Sequence, residues 1–339
     1  MAREIQIRLT PQQEADLTRV RHVNAEAFDA YLEGRFFLGP GRQRRSEQGH
    51  KFLPAGDQTG FQICAGLGRF VSGPLSRSRK RFCSPCFVPL KEGEERRQAR
   101  EAVEQALELD PNLAEAHAQI GRIQMFVDWD WTGANASLQR ALALDPGNSG
   151  VVTFASSLAA SLGRFEEALE LAHRAIALNA VSRGLLAQIC FAMGRQEEAE
   201  VDFTKTIELN PNLDGNHGWL GFVYLAEGRA LDALAEIERE PMNFARLQGY
   251  AVVYYALGRT KDSDTALREL IVKYQTDSSF QIAGVYAFRH EPDQAFEWLE
   301  RAYVQHDTGL ANTRFDPLRK NVRGDPRYAA FLKKVNLPL

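Results

Sequence analysis

The chain has 339 residues, 44% of them hydrophobic and 25% charged, and a formal net charge of −3. This composition fits a water-soluble protein long enough for two globular domains or one extended array, and it excludes a membrane-spanning helix, because no run of 18 apolar residues occurs. Met1 to Thr10 alternates charge with single apolar residues, which is not a signal-peptide pattern, so the cytoplasm is the expected compartment.

In chain order, residues 1–36 read as an N-terminal helical junction segment ending in Ala30-Tyr31-Leu32-Glu33-Gly34-Arg35. Residues 37–86 break the pattern. They hold eight Gly, four Pro, seven Arg and two Lys against two acidic residues, so this stretch carries +7 and leaves −10 for the rest. Three readings of it compete. Arg77 to Arg81, with Phe70 and Phe82 interleaved, has the look of a basic nucleic-acid arm. Cys83-Ser84-Pro85-Cys86 supplies two of the four ligands that structural zinc needs. The reading we adopt is a displaced reading frame. Back-translating Glu47 to Val71 and moving forward one nucleotide permits NKAINFFQQAIKLDFKYALAWAGLS, which is another amphipathic unit, and the coding DNA decides it. On that reading nucleic acid is not an expected partner, and the helix over Glu94 to Glu108 lacks a neighbour and frays.

Residues 87–308 carry a recurring phrase. Leu109-Asp110-Pro111, Leu144-Asp145-Pro146, Leu178-Asn179-Ala180 and Leu209-Asn210-Pro211 follow one another at 35, 34 and 31 residues. A period in that range predicts stacked helical hairpins. A half unit ends at Pro111, and further units run over 114–147, 148–181, 182–212, 214–243, 244–275 and 276–308, the third of these short by about three residues. Gly121 and Gly221, facing small residues such as Ala134 and Ala233, are expected to let paired helices approach closely. Gly-Arg pairs at 163–164, 194–195, 228–229 and 258–259 mark the turns inside the hairpins. Residues 309–339 turn polar after Asn312, and Phe315-Asp316-Pro317-Leu318 leads into a capping helix around Pro326 to Val335.

The pattern His117-x-x-Ile120-Gly121, and again His217-x-x-Leu220-Gly221-x-x-Tyr224 followed by Gly228-Arg229, Ala233 and Ile237, resembles the tetratricopeptide repeat (TPR) family. The resemblance implies an all-α, right-handed helical solenoid, a protein-interaction scaffold and not an enzyme, with no catalytic residue, metal or cofactor. Residues 1–36 and Asp293 to Leu337 further resemble the array that follows a TolB-like domain in multidomain bacterial regulators. This gives an alternative reading as the regulatory remnant of a transcription regulator or of a cyclase- or kinase-type signalling protein.

In TPR arrays the first helix of each hairpin lines a concave groove that binds a partner protein or peptide. By that register the candidate groove residues are Arg122, Met125, Thr153, Ser157, Phe222, Leu225, Tyr255 and Phe288. The aromatic cluster Phe126, Trp129 and Trp131, beside Asp128 and Asp130, is expected to pack the lengthened loop of its own unit.

Overall fold

The structure, a computed structural model, describes residues 24–38, 93–179 and 182–338. Of the basic stretch of residues 37–86, Phe37 and Leu38 are helical, and residues 39–86, with the Cys-x-x-Cys pair and the reading-frame expectation, lie outside the described residues.

The described residues form a solenoid of helical hairpins with no strand among them. The pairs are α1 (Ala25–Leu38) with α2 (Glu94–Leu109), α3 (Ala114–Ile123) with α4 (Trp131–Leu144), and α5 (Ser149–Ser161) with α6 (Phe165–Leu178). Next come α7 (Arg183–Ala192) with α8 (Gln196–Leu209), α9 (Asn216–Ala226) with α10 (Ala230–Arg239), α11 (Asn243–Ala256) with α12 (Thr260–Tyr274), and α13 (Ser279–Phe288) with α14 (Pro292–Val304). Two 3-10 turns, Thr308–Asn312 and Pro317–Val322, lead to a last helix, α15 (Pro326–Lys334).

Small side chains set the spacing within each pair. A Cβ on Gly121 would lie 2.8 Å from Leu138 and 3.3 Å from the Ala134 carbonyl, and one on Gly221 would lie 3.2 Å from the Ala233 carbonyl. Serine serves equally well: the Ser156 hydroxyl donates to the Ala168 carbonyl at 2.8 Å, and that of Ser263 donates to the Ala251 carbonyl at 2.5 Å. The hairpin turns follow from glycine's freedom at positive φ. At Gly163 (φ 76°) the chain reverses while the Arg164 N–H reaches back to the Ala159 carbonyl, satisfying an acceptor the helix end would otherwise leave bare.

The first hairpin corrects the expectation for α2. Its neighbour is α1, reached across 55 intervening residues: Ala27, Ala30 and Tyr31 pack on Ala99, Val103 and Ala106. The Asn24 amide caps the far end by donating to the Leu109 carbonyl. Gly34 sits where a Cβ would be 2.5 Å from Val103 and 3.1 Å from the Ala99 carbonyl, the relation Gly221 has to Ile237 and Ala233. Ser156 and Ala168, Gly221 and Ala233, and Ala251 and Ser263 are each twelve positions apart, whereas Gly34 and Ala99 are 65 apart.

Removing residues 43–95 restores that spacing of twelve and keeps Gly41-Arg42 seven places after Gly34, as Gly228-Arg229 follows Gly221. The shortened chain is expected to fold cooperatively and, from loop-closure entropy alone, to gain about 2 kcal/mol. Urea denaturation followed by circular dichroism checks this, and a broadened or missing N-terminal transition would refute the composite repeat.

The first helices contact one another in series and form the inner layer, α3 on α5, α5 on α7, α7 on α9, α9 on α11 and α11 on α13. They are buried nearly all round, as in α5, where Val151–Thr153 and Ala155–Ser161 are buried. The second helices bury a single stripe, such as Ala168, Ala172 and Ala175 of α6, and leave the opposite side to solvent.

The inner layer is covered at both ends of the array because the C-terminal stretch folds back over it. The turn Pro317–Val322 lies on α13, and Thr308–Asn312 lies against α5 and the single π-helical turn Gln124–Asp128. That π turn absorbs one extra residue, since Gly121 and Ala134 are thirteen apart. It also delivers Trp129, in the left-handed conformation at φ 53°, to the far end of the chain. There the Trp129 ring stacks on Tyr303 and His306, with centroids 5.0 and 4.9 Å away. Trp131 Nε1 donates to the Val335 carbonyl at 2.9 Å, and Arg96 donates to the His306 carbonyl at 3.1 Å. The aromatic cluster thus packs against residues more than 170 positions away, not only against its own loop, and the solenoid closes on itself.

Candidate functional site

A groove opens on the inner face across α7, α9, α11 and α13, bounded by Asp316 and Leu318 of the returning segment. Trp219, Phe222 and Phe244 give it aromatic walls, and Gln188, Gln248 and Gln281 give it carboxamides. Trp219 is held by stacking on Phe203, with centroids 6.5 Å apart, and by edge contacts with Phe191 and Phe222. Gln248 is fixed from behind, its Nε2 donating to the Gln281 carbonyl at 3.3 Å. Gln281 is 4% exposed and its Oε1 has no hydrogen-bond partner.

Asp214 and Asp316 line the groove, and Asp316 is ion-paired with Arg319. At the start of α9 the backbone N–H groups of Gly215 and Gly218, which would otherwise attract an anion, donate to the fully buried Glu240 carboxylate at 3.0 and 2.9 Å. The N–H of Met242 donates to the same group. Beside it His217 Nδ1 meets Glu236 at 2.6 Å. Burial works to raise the Glu236 carboxyl, but its bonds to His217 and Arg239 bring it below the ordinary range.

The returning segment brings its own buried charges. Arg319 is fully buried over the Phe280 ring, 3.3 Å from its centroid, pairs with Asp316 and donates to the Phe280 carbonyl. Burial pulls its guanidinium down while Asp316 opposes that pull. Asp307 accepts from the N–H groups of Phe280 and Gly309, both at 2.9 Å, and burial pushes its carboxyl up to about 6.

Of the eight residues chosen by sequence register, Phe222 lines this groove. Met125, Thr153 and Ser157 are buried, the last two on α5 where the turn Thr308–Asn312 lies against it, so they offer no open surface as the structure stands. Arg122 is half-buried with its guanidinium 5.7 Å from the Phe154 ring, and Leu225 is half-buried against the core. Tyr255 meets Phe288 edge to face, and its hydroxyl donates to the Arg289 carbonyl, which makes this pair an inter-repeat contact.

The residues missed were Gln188, Trp219, Phe244, Gln248 and Gln281. Part of the signal was available: Gln188 follows the close-packed Ala187 just as Phe222 follows Gly221, and Gln248 precedes Ala251 by three as Gly218 precedes Gly221. Among the described residues no three His, Cys, Asp or Glu side chains are grouped to hold a metal ion, and no helix is long and apolar enough to cross a membrane.

Fold and groove together define a helical-repeat solenoid. A family model for the tetratricopeptide repeat matches residues 180–213. Among solved structures the chain is similar to a tetratricopeptide repeat protein from Parabacteroides merdae, at 15% identity and TM-score 0.50, over 71% of this chain and 92% of that one. It is also similar to PilW, a type IV pilus biogenesis factor, at 17% identity and TM-score 0.47, over 57% and 91%. A third likeness, to the Cut9-Hcn1 hetero-tetramer of the APC/C, has 14% identity and TM-score 0.48, over 72% and 49%. A comparison with curated proteins gives no match. At these identities the likeness is one of fold.

Proposed function

We propose that this protein is an interaction scaffold that binds an extended segment of a partner protein along the open stretch of its inner face, from Gln188 on α7 to Leu318. The observation that carries the reading is the groove itself: aromatic walls and carboxamides from four successive inner helices, with the buried Gln281 Oε1 lacking a partner. The reading keeps the cytoplasm as the compartment and assigns no chemistry to the chain.

Ala245 lines the groove and is half-buried at the start of α11, so a larger side chain there fills the groove without entering the core. Ala245→Trp is expected to leave the unfolding transition in place and to reduce capture of partner proteins by about tenfold or more, a loss of about 1.4 kcal/mol. Quantitative affinity capture with the full chain and the variant tests this. Equal recovery of the same proteins by both would move the binding surface elsewhere.

A further inference from the structure

Resting on that reading, we infer that the partner segment is uncharged where it crosses the groove, donates a main-chain N–H to Gln281 Oε1 and seats an apolar side chain between Trp219, Phe222 and Phe244. Gln281 is 4% exposed, lines the groove and carries an acceptor with no hydrogen-bond partner. A buried acceptor left unmet costs free energy until an N–H or O–H donor reaches it. A protein segment offers such donors on charged side chains, on neutral side chains and along its main chain, and the surroundings decide among them.

Charge is excluded first. Both carboxylates at the groove are engaged within the chain, Asp316 with Arg319 and Asp214 with a partner of its own. The N–H groups at the start of α9 are taken by Glu240. A cation or an anion entering here would give up its hydration and find these groups already paired, which is a net cost. The main chain fits what is left. Gln188 on α7, Gln248 on α11 and Gln281 on α13 line the groove, each at most 7% exposed. A carboxamide holds an acceptor and donors on one flat group. An extended main chain repeats a donor and an acceptor along its length, so one segment serves carboxamides on successive helices, whereas a side-chain amide serves one. The aromatic walls then take the side chain that such a segment turns toward them.

The probe is the uncharged peptide acetyl-Gly-Ser-Ala-Phe-Ala-Ser-Gly-amide, with versions carrying lysine or glutamate in place of phenylalanine, and versions N-methylated at one central amide at a time. Calorimetric titration of the full chain is expected to show the phenylalanine peptide binding about tenfold or more tightly than either charged version. One of the N-methylated peptides is expected to lose about tenfold against the parent chain and to lose nothing further against Gln281→Met, because the missing N–H and the missing acceptor belong to the same bond. Gln281→Met keeps the main-chain carbonyl that Gln248 uses and removes an unmet acceptor, so its unfolding midpoint is expected to equal or exceed the parent's. Equal or tighter binding of a charged version, N-methylation losses that are the same in parent and Gln281→Met, a lowered midpoint in Gln281→Met, or no binding at millimolar peptide would overturn the inference. If Ala245→Trp still reduced partner capture in that event, the scaffold reading would stand and only the uncharged main-chain contact would fall.

Discussion

Replacing Arg319 with alanine is expected to destabilise the C-terminal half of the solenoid by about 3–5 kcal/mol, the loss typical of removing one partner from a buried ion pair. The guanidinium is fully buried and joins three things at once: the Asp316 carboxylate, the Phe280 carbonyl and the Phe280 ring. Its removal leaves Asp316, itself 7% exposed, without its counter-charge and opens a void against Phe280. Asp316 also caps the turn Pro317–Val322 through the Leu318 N–H, so the turn loosens with it. Replacing both charges, Asp316→Asn with Arg319→Met, keeps the cap and a similar volume and is expected to recover most of the loss. Urea denaturation is the measurement. In a repeat array the change belongs to the C-terminal transition and not to one global midpoint. A loss below about 1 kcal/mol for Arg319→Ala would mean that water reaches this site.

Trp129→Ala is the second change of large effect, expected to cost about 3–5 kcal/mol as a large-to-small substitution and to release the C-terminal segment from the N-terminal hairpins. Trp129 is 5% exposed and stacks on Tyr303 and on His306, so both rings lose that contact. The contacts that remain are the hydrogen bonds of Trp131 to Val335 and of Arg96 to the His306 carbonyl, about 1 kcal/mol each, and the packing of Thr308–Asn312 against α5, and together they are expected to hold the closure less tightly. Small-angle X-ray scattering is expected to show a larger radius of gyration for Trp129→Ala than for the parent. The Trp129 indole N–H has no hydrogen-bond partner, so Trp129→Phe keeps the stacking, sacrifices no hydrogen bond and is expected to stay compact. An unchanged radius in Trp129→Ala would show that the closure depends on the neighbouring contacts instead.

On the proposed scaffold reading both substitutions bear on binding, because closure decides how much of the inner face a partner would reach. With Thr308–Asn312 against α5 and Pro317–Val322 on α13, the groove runs from α7 to α13 between these two contacts. A segment that bound along α5 would first have to displace the returning chain. For that reason Thr153 and Ser157, although they stand in the inner register, are not accessible groove residues in the closed form.

The sequence by itself determined the repeat. A hairpin of two amphipathic helices needs a small residue where the helices cross, a turn residue that tolerates positive φ, and an apolar stripe, and all three recur with a local period visible at Gly121, Gly163 and Ala168. The inner register was legible for the same reason, and it led to Phe222. Only the tertiary structure decided two things: that α1 and α2 form one hairpin across 55 residues, and that Trp129 and Trp131 fasten the far end of the chain. Those contacts join positions with no fixed spacing between them, so no periodicity announces them. They follow from which apolar faces remain uncovered once the hairpins have stacked, a quantity that exists only in three dimensions.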